Sequence, residues 1–502
     1  MPAPDVAALL ALLERSEPDV AEPARVAVEW LAGGEALETI SQFDVCEFLW
    51  YTLPIKVPGD QATIARALGR LLRLAGMERY AALCDSPATA RILMTYAREG
   101  EEAGAAAYHR ELEATGVLPP DVAELSWSSI MGPEELGAHV ACAAALELAI
   151  VTGDPVDREE LTRRWLTAPR PELGGDCWLH RVHGERLNRW VLGRGTARRE
   201  LAQPFEVRLH APIAAPDEPH LEPLRWLLGL ARTGVRLTER LNVGRAVAAE
   251  AADRFGWGNP TRPGAVRGEA DVPALTELRQ IAVHDLGALR RSGRRLVLTT
   301  TGRNLLDDRA AMWDAAAPTL LVPAPGEHDF EVSIRESALM ILVDGDVVRD
   351  GDLRARIAEV VNGEGWRATD GGRVGGADLT GPLSRLRHRL DALGLDTLGF
   401  DTQGAGAQGP DAPGLNAQGP GASGADALGL VGPEPGAAAQ EGQATASAPR
   451  ATGSAPEGTR REPVTRVAGD DAPWRLTDAG RRAALAALRA QALRPRQYAG
   501  LG

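Results

Sequence analysis

Cys177-x2-His180-x2-His183 is the one spacing in this chain with the look of a metal site. A thiolate and two imidazoles three residues apart share a helix face only in part. Zinc asks for a tetrahedral set, and no fourth ligand is evident in the sequence. The plainer reading is a polar, arginine-rich helix running through Trp190 to Arg199, so neither a metal nor any other cofactor is expected. No nucleophile elbow, P-loop, dinucleotide fingerprint or H-E-x-x-H motif occurs. Gly371-Gly372-Arg373-Val374-Gly375-Gly376 lacks the strand-then-helix setting of a phosphate loop and reads as a turn. No residue is assigned a catalytic role, and the chain reads as a binding protein rather than an enzyme.

The binding chemistry rests on arginine. Arg279, Gln280 and His284 fall on one predicted helix, and Arg290, Arg291, Arg294 and Arg295 surround the turn that follows it. In a DNA reader the helix residues would meet base edges and the turn arginines would meet phosphates. A weaker equivalent set is Arg385 and Arg389, with His388 between them. The competing reading is a solvated helix face whose cationic end complements the macrodipole. Lys56 is the only lysine and the net charge is −14. Arginine in such a chain, rich in Ala, Gly and Pro, reflects a GC-rich genome, and an acidic protein repels duplex DNA unless its basic groups are segregated. Surface charge therefore separates two partners. Arg279, Arg290, Arg291, Arg294 and Arg295 in one exposed patch free of carboxylates favour duplex DNA, the leading reading, whereas the same arginines paired off by Asp285 and neighbouring acids favour the alternative, a scaffold that docks other proteins.

The elements that position these residues repeat. Leu298-Thr299-Thr300-Thr301-Gly302-Arg303 is echoed by Leu476-Thr477-Asp478-Ala479-Gly480-Arg481, and each follows a helix-like stretch closing on Leu-Gly, at Leu286-Gly287 and Leu393-Gly394. Helix, polar hairpin, then a strand whose end caps a helix is the outline of a winged helix-turn-helix. Thr299 and Thr477 fit the N-cap position, where a hydroxyl accepts from an N–H two or three residues on.

The fold class expected is mainly α with small wings (α+β). Residues 1–204 read as a helical domain, 205–220 as a strand and linker, 221–310 as the first winged-helix-like unit. The second unit takes 311–400 and resumes at 471–502. Between them, 401–470 holds no Phe, Trp or Tyr and repeats Ala407-Gln408-Gly409-Pro410 as Ala417-Gln418-Gly419-Pro420. Such a segment cannot bury enough surface to offset its ordering entropy, so a disordered insertion in the second wing is predicted.

Within the first region, Ile64, Leu68, Leu71 and Leu72 mark a helix closed at Gly76. Ser86-Pro87 opens another that is expected to reach Gly116, and 135–152 is apolar nearly all round, as a buried central helix would be. Phe43, Phe48, Trp50 and Tyr51 read as core before ligand groove. Phe205, Val207 and Leu209 alternate like a strand, and Thr238 is placed to cap a helix running to Phe255. No run approaches a membrane span, no signal peptide is visible, and Cys46, Cys84, Cys142 and Cys177 suit reduced thiols. A cytoplasmic protein with no membrane partner is expected.

From about Leu224 to Leu488 the chain resembles the C-terminal region of uncharacterised actinobacterial proteins, some labelled plasmid open-reading-frame-three-like. The residues that carry this are Leu224-Arg225-Trp226-Leu227-Leu228, Val235-Arg236-Leu237-Thr238, Trp257-Gly258-Asn259-Pro260, Leu296-Val297-Leu298-Thr299 with Gly302-Arg303, Asp308 to Trp313, and Leu476-Thr477 with Gly480-Arg481. The β-rich N-terminal domain of that family is replaced here by the helical region. The resemblance implies fold and chain order and brings no catalytic residue.

Overall fold

A computed structural model describes residues 5–33, 36–154, 157–257, 266–345, 347–396 and 473–497. They are mainly helical, with two small sheets. The predicted insertion at 401–470 lies outside the described residues.

The N-terminal core runs from Leu9 to Val117. Its helices begin and end where side-chain chemistry directs. Asp60 accepts from the Ala62 N–H to open Gln61–Leu74, which buries Ile64, Leu68, Leu71 and Leu72 before Gly76 turns away at φ +76°. The Ser86 hydroxyl accepts from the Thr89 N–H ahead of Pro87. The single helix predicted to reach Gly116 is instead two, Pro87–Glu99 and Glu101–Ala114, broken at Gly100 with φ +95°. They fold back on each other because Gly104 carries no side chain, and a Cβ there would run into the Tyr96 ring. Phe48 and Trp50 are buried, the Trp50 indole donating to Thr89 Oγ1 at 2.7 Å, so the aromatic cluster is core.

The Pro133–Thr152 helix corrects two expectations. It is not buried all round: Leu136, Leu148, Ile150 and Val151 are exposed. It is also, among the described residues, the one helix long and apolar enough to cross a membrane by length and composition. Its other face carries polar anchors that the apolar count hides. Glu147 accepts from Tyr80 Oη at 2.8 Å and from the Gln42 N–H at 2.6 Å, and buried Glu135 pairs with buried Arg186 at 2.6 Å. Arg186 also donates to the carbonyl of Leu493, 2.6 Å away, tying this region to the end of the described chain.

The second large core runs from Leu187 to Leu493, so packing continues unbroken through residue 204. The strand predicted at 205–209 is a short helix, Phe205–Arg208. Phe205 and Leu209 lie one turn apart and are both buried, while Val207 faces solvent. An i, i+4 pair pointing inward satisfies a helix as well as alternation satisfies a strand. The helix predicted to start at Thr238 begins only at Arg245, because the Thr238 hydroxyl accepts from the Asn242 N–H in a tight turn.

One pattern occurs twice in this core. First come Glu222–Ala231, β1 (Val235–Arg236), Arg245–Phe255, Pro273–Gln280 with a wide turn Ile281–Asp285, β2 (Leu289–Ser292), β3 (Arg295–Leu298) and Thr300–Asp307. Then come Asp329–Asp344, β4 (Val348–Arg349), Asp350–Gly363, Thr380–Leu393, β5 (Pro473–Trp474) and Asp478–Ala492. β3 lies between β1 and β2, antiparallel to both, and β5 is antiparallel to β4. An Asp396–Leu476 bridge stands where Leu289 pairs with Leu298.

The strand-to-helix junctions agree atom by atom. Thr299 N donates to Ala288 O at 3.0 Å, and Thr477 N to Leu395 O at 3.1 Å. Each hydroxyl caps the next helix, accepting from Gly302 N at 3.0 Å and Gly480 N at 2.9 Å. Both glycines are required by close approach, since a Cβ on either would collide with that same carbonyl oxygen. The preceding turns pass through Gly287 at φ +56° and Gly394 at φ +69°.

Candidate functional site

The third helices of the two repeats, Pro273–Gln280 and Thr380–Leu393, pack against each other. This settles where much of the predicted arginine set goes. Arg389 is wholly buried between them, its Nε 3.3 Å from Glu277 and its Nη2 3.2 Å from Asp285. The Asp285 contact is an ion pair without hydrogen-bond alignment. The same guanidinium donates to the carbonyls of Thr319 and Val322. Arg385 reaches Glu277 at 3.7 Å and Glu327 at 3.4 Å, and Glu327 is also held by buried Arg335 at 2.7 Å. Arg335, Arg385 and Arg389 thus face Glu277, Asp285 and Glu327 in one charge-balanced network. Burial pushes the Asp285 carboxyl above its usual range and the Arg335 guanidinium down to about 10.

Arg389 is therefore corrected from a surface contact to an interior one. Arg279 is also committed, bound to buried Glu269 at 2.6 Å with its side chain 22% exposed. Glu269 accepts the Val243 N–H as well. Of the helix set, Gln280 is half-buried and His284 is exposed.

The turn arginines behave differently. β2 and β3 meet in a two-residue turn, Gly293-Arg294, with Gly293 at φ +59°. A glycine at the first central position is what a twist-compatible hairpin turn requires. Arg290, Arg291, Arg294 and Arg295 are all exposed. Arg294 lies 3.7 Å from exposed Glu239, a loose contact worth little in water. Arg290, Arg291 and Arg295 have no carboxylate partner among the described residues.

Register adds arginines that the sequence reading left out. Arg236 on β1 stands directly opposite Arg295 on β3. Residues two apart on a strand share a face, so Arg290, opposite Val297, lies on the same side of the sheet as Arg236 and Arg295. The opposite face buries Val235, Leu289 and Leu296. Beside the hairpin a cleft of about 410 Å³ is lined by Arg232, Thr233, Arg295, Arg303 and Asp307 among others. Arg232 and Asp307 are 3.4 Å apart there, both exposed. The alternation Val235-Arg236-Leu237 was the signal for a strand with one charged face, and the pairing partner supplies the rest.

Cys177, His180 and His183 do not come together as a set. His183 is buried, and burial pushes its imidazole down to about 4, with the Arg489 and Arg186 charges adding to the effect. The Gly371–Gly376 stretch forms a turn in which Asp370 accepts from the Gly372 N–H. Comparison with known families, curated proteins and solved structures finds no match for this chain.

Proposed function

We propose that this chain is a non-enzymatic cytoplasmic scaffold built on two winged-helix-like units. The third helices of the units are used on each other, and the first unit's hairpin takes an acidic segment of a partner protein. Helix, strand, two helices and a hairpin, with β3 between β1 and β2, supports the winged-helix reading of the first unit. The matching Thr–Gly junction supports it for the second. The observation that carries the scaffold over a base reader is Arg389. A helix that enters a major groove must present a free face, and here the two candidate helices are locked together by buried guanidinium–carboxylate pairs.

A second reading is favoured by one specific observation, the gathering of Arg236, Arg290 and Arg295 on one exposed face of the small sheet, with Arg291 exposed on the same hairpin but on its other face. Such a wing suits the phosphate backbone of duplex DNA. It would position without specifying, because phosphate contacts carry no base information. We place the region from Leu224 to Leu488 beside the actinobacterial proteins it resembles, on the residues quoted above.

The discriminating experiment titrates the full chain with a glutamate-rich peptide and, separately, with a short duplex, across a range of salt. The scaffold reading expects peptide binding that is lost in Arg290→Ala/Arg291→Ala/Arg295→Ala, and no duplex binding at physiological salt. Duplex binding that weakens with log salt at a slope near −0.9 per contact, about three in all, would instead establish the phosphate reading. Binding of neither ligand at low salt, where the electrostatic contribution is largest, rejects both.

A further inference from the structure

We propose that Asp176, Cys177, His180 and His210 form a zinc site that clips the start of the Trp178–Leu192 helix to the segment entering the C-terminal core. The sequence pattern names the wrong third ligand. His183 is buried, while Asp176 and His180 line an open cleft and half-buried Cys177 stands between them in the chain. One ligand atom from each of Asp176, Cys177 and His180 falls within 4.8 Å of the other two. Asp176 Oδ1 accepts from the Cys177 N–H at 2.8 Å and lies 3.2 Å from His180 Nδ1, which holds all three at the first turn of the helix.

The fourth member comes from 30 residues on in the chain, where the short Phe205–Arg208 helix ends. The His210 ring stands edge-on to His180, centroids 6.2 Å apart. Its Nε2 lies 3.7 Å from where a Cβ on Gly184 would be, so it rests on the helix surface one turn beyond His180. Asp176, His180, Gly184 and His210 line one open cleft. The nearby cation, Arg181, is bound by both oxygens of Glu134 at 2.7 and 2.8 Å and does not compete for Asp176.

Thiolate, imidazole and carboxylate are the donors zinc takes, at about 2.0–2.3 Å in a tetrahedron. That geometry puts donor atoms about 3.3–3.6 Å apart and the centroids of two bound imidazoles about 5 Å apart. The His180 and His210 rings therefore have to approach by about 1 Å, and His210 has to swing further toward Asp176 and Cys177, a side-chain rotation for groups of which none is buried. On binding, the Cys177 thiol gives its proton to solvent and the thiolate sulfur bonds to the metal, with no change of oxidation state.

The test uses the full chain, stripped with a chelator and titrated with zinc against a metallochromic competitor. Elemental analysis after desalting gives the stoichiometry. The expected result is one zinc per chain, lost in Cys177→Ser and weakened about a hundredfold in His210→Ala. Cobalt substituted into the wild type should give a thiolate charge-transfer band that Cys177→Ser lacks. Circular dichroism of each variant separates ligand loss from misfolding, and the wild-type cobalt spectrum stands independent of any variant. Three results overturn the proposal: no stoichiometric zinc in the wild type, undiminished binding by Cys177→Ser, or unchanged affinity in His210→Ala.

Discussion

The two repeats of the C-terminal core share a junction and differ in what they do with arginine. In the first, guanidinium groups crowd an exposed hairpin. In the second, Arg385 and Arg389 turn inward onto Glu277, Asp285 and Glu327. The difference is not in the arginines. It lies in whether acids face them from the element packed opposite. The first repeat's third helix and the turn before Asp329 supply those acids, and no comparable acidic surface covers β2 and β3 among the described residues. Place in a motif thus fixes where a side chain starts, and counter-charge decides whether it ends as surface or interior.

The sharpest test of this contrast removes one guanidinium from the interior and two from the hairpin. Arg389→Ala leaves Glu277 and Asp285 facing each other in a dry interface. Removing one partner of a buried pair costs about 3–5 kcal/mol. Arg290→Ala/Arg291→Ala removes surface charge only and should stay within about 0.5 kcal/mol of wild type. Urea midpoints read both. An Arg389→Ala loss no larger than that of the hairpin pair would mean the third helices are not locked together.

What the repeats share can be tested at the next level of effect. Gly302→Ala and Gly480→Ala each push a methyl group against a junction carbonyl, and overpacking of this kind costs about 1–3 kcal/mol. Thr299→Ala and Thr477→Ala each lose an N-cap, worth about 1 kcal/mol. Matched losses in thermal melts of the two glycine variants, and of the two threonine variants, are expected. A large loss in one repeat beside none in the other would show that the likeness stops at the backbone.

The junctions were legible in the sequence because each cap is local: threonine and glycine stand three residues apart, and caps act only there. Only the Leu-Gly turn of the second repeat lies far off, with Leu395 82 residues before Thr477. Burial of Arg389 was not legible, because its partners lie 112 residues away at Glu277 and elsewhere on another helix. The pairing of Arg236 with Arg295 was hidden likewise, since register is a property of two strands. Phe205 to Leu209 failed differently: five residues with three apolar ones fit both periods, and only the core they meet decides between them.

Corresponding positions also differ in charge behaviour. Three residues before its turn glycine the second repeat has Asp391, where the first has exposed His284. Burial raises the Asp391 carboxyl to about 7, with nearby Asp396 adding to the effect. A carboxyl whose folded pKa lies above its unfolded value holds a proton in the folded state that the unfolded state releases. Its contribution to stability therefore falls as pH rises from about 4 to about 7. Asp391→Asn should remove that dependence and gain on the order of 2 kcal/mol over wild type at pH 8, after allowance for partial exposure. His139 and His183, both held down to about 4, act in the opposite sense, losing stability as pH falls from 6.5 toward 4. The quantity to read is thus the wild-type-minus-variant difference at pH 5 and pH 8, and a constant difference would remove Asp391 from the account.

The smallest effect has the opposite sign to the first. Arg236 and Arg295 are direct cross-strand neighbours, and like charges so placed destabilise a sheet. A structural role would not keep them opposed, but a surface that must attract an acidic ligand would. Arg295→Thr puts a good strand former in place of one charge and should raise stability by a few tenths of a kcal/mol, more at low salt than at high. The same variant should weaken capture of the glutamate-rich peptide. Stability gained together with binding lost would mark the hairpin as the working surface, in contrast to Arg389, whose loss should unfold the interface. Stability lost on Arg295→Thr would instead assign that guanidinium a packing role through its stem over Gly234, where its Cδ already lies close to the backbone.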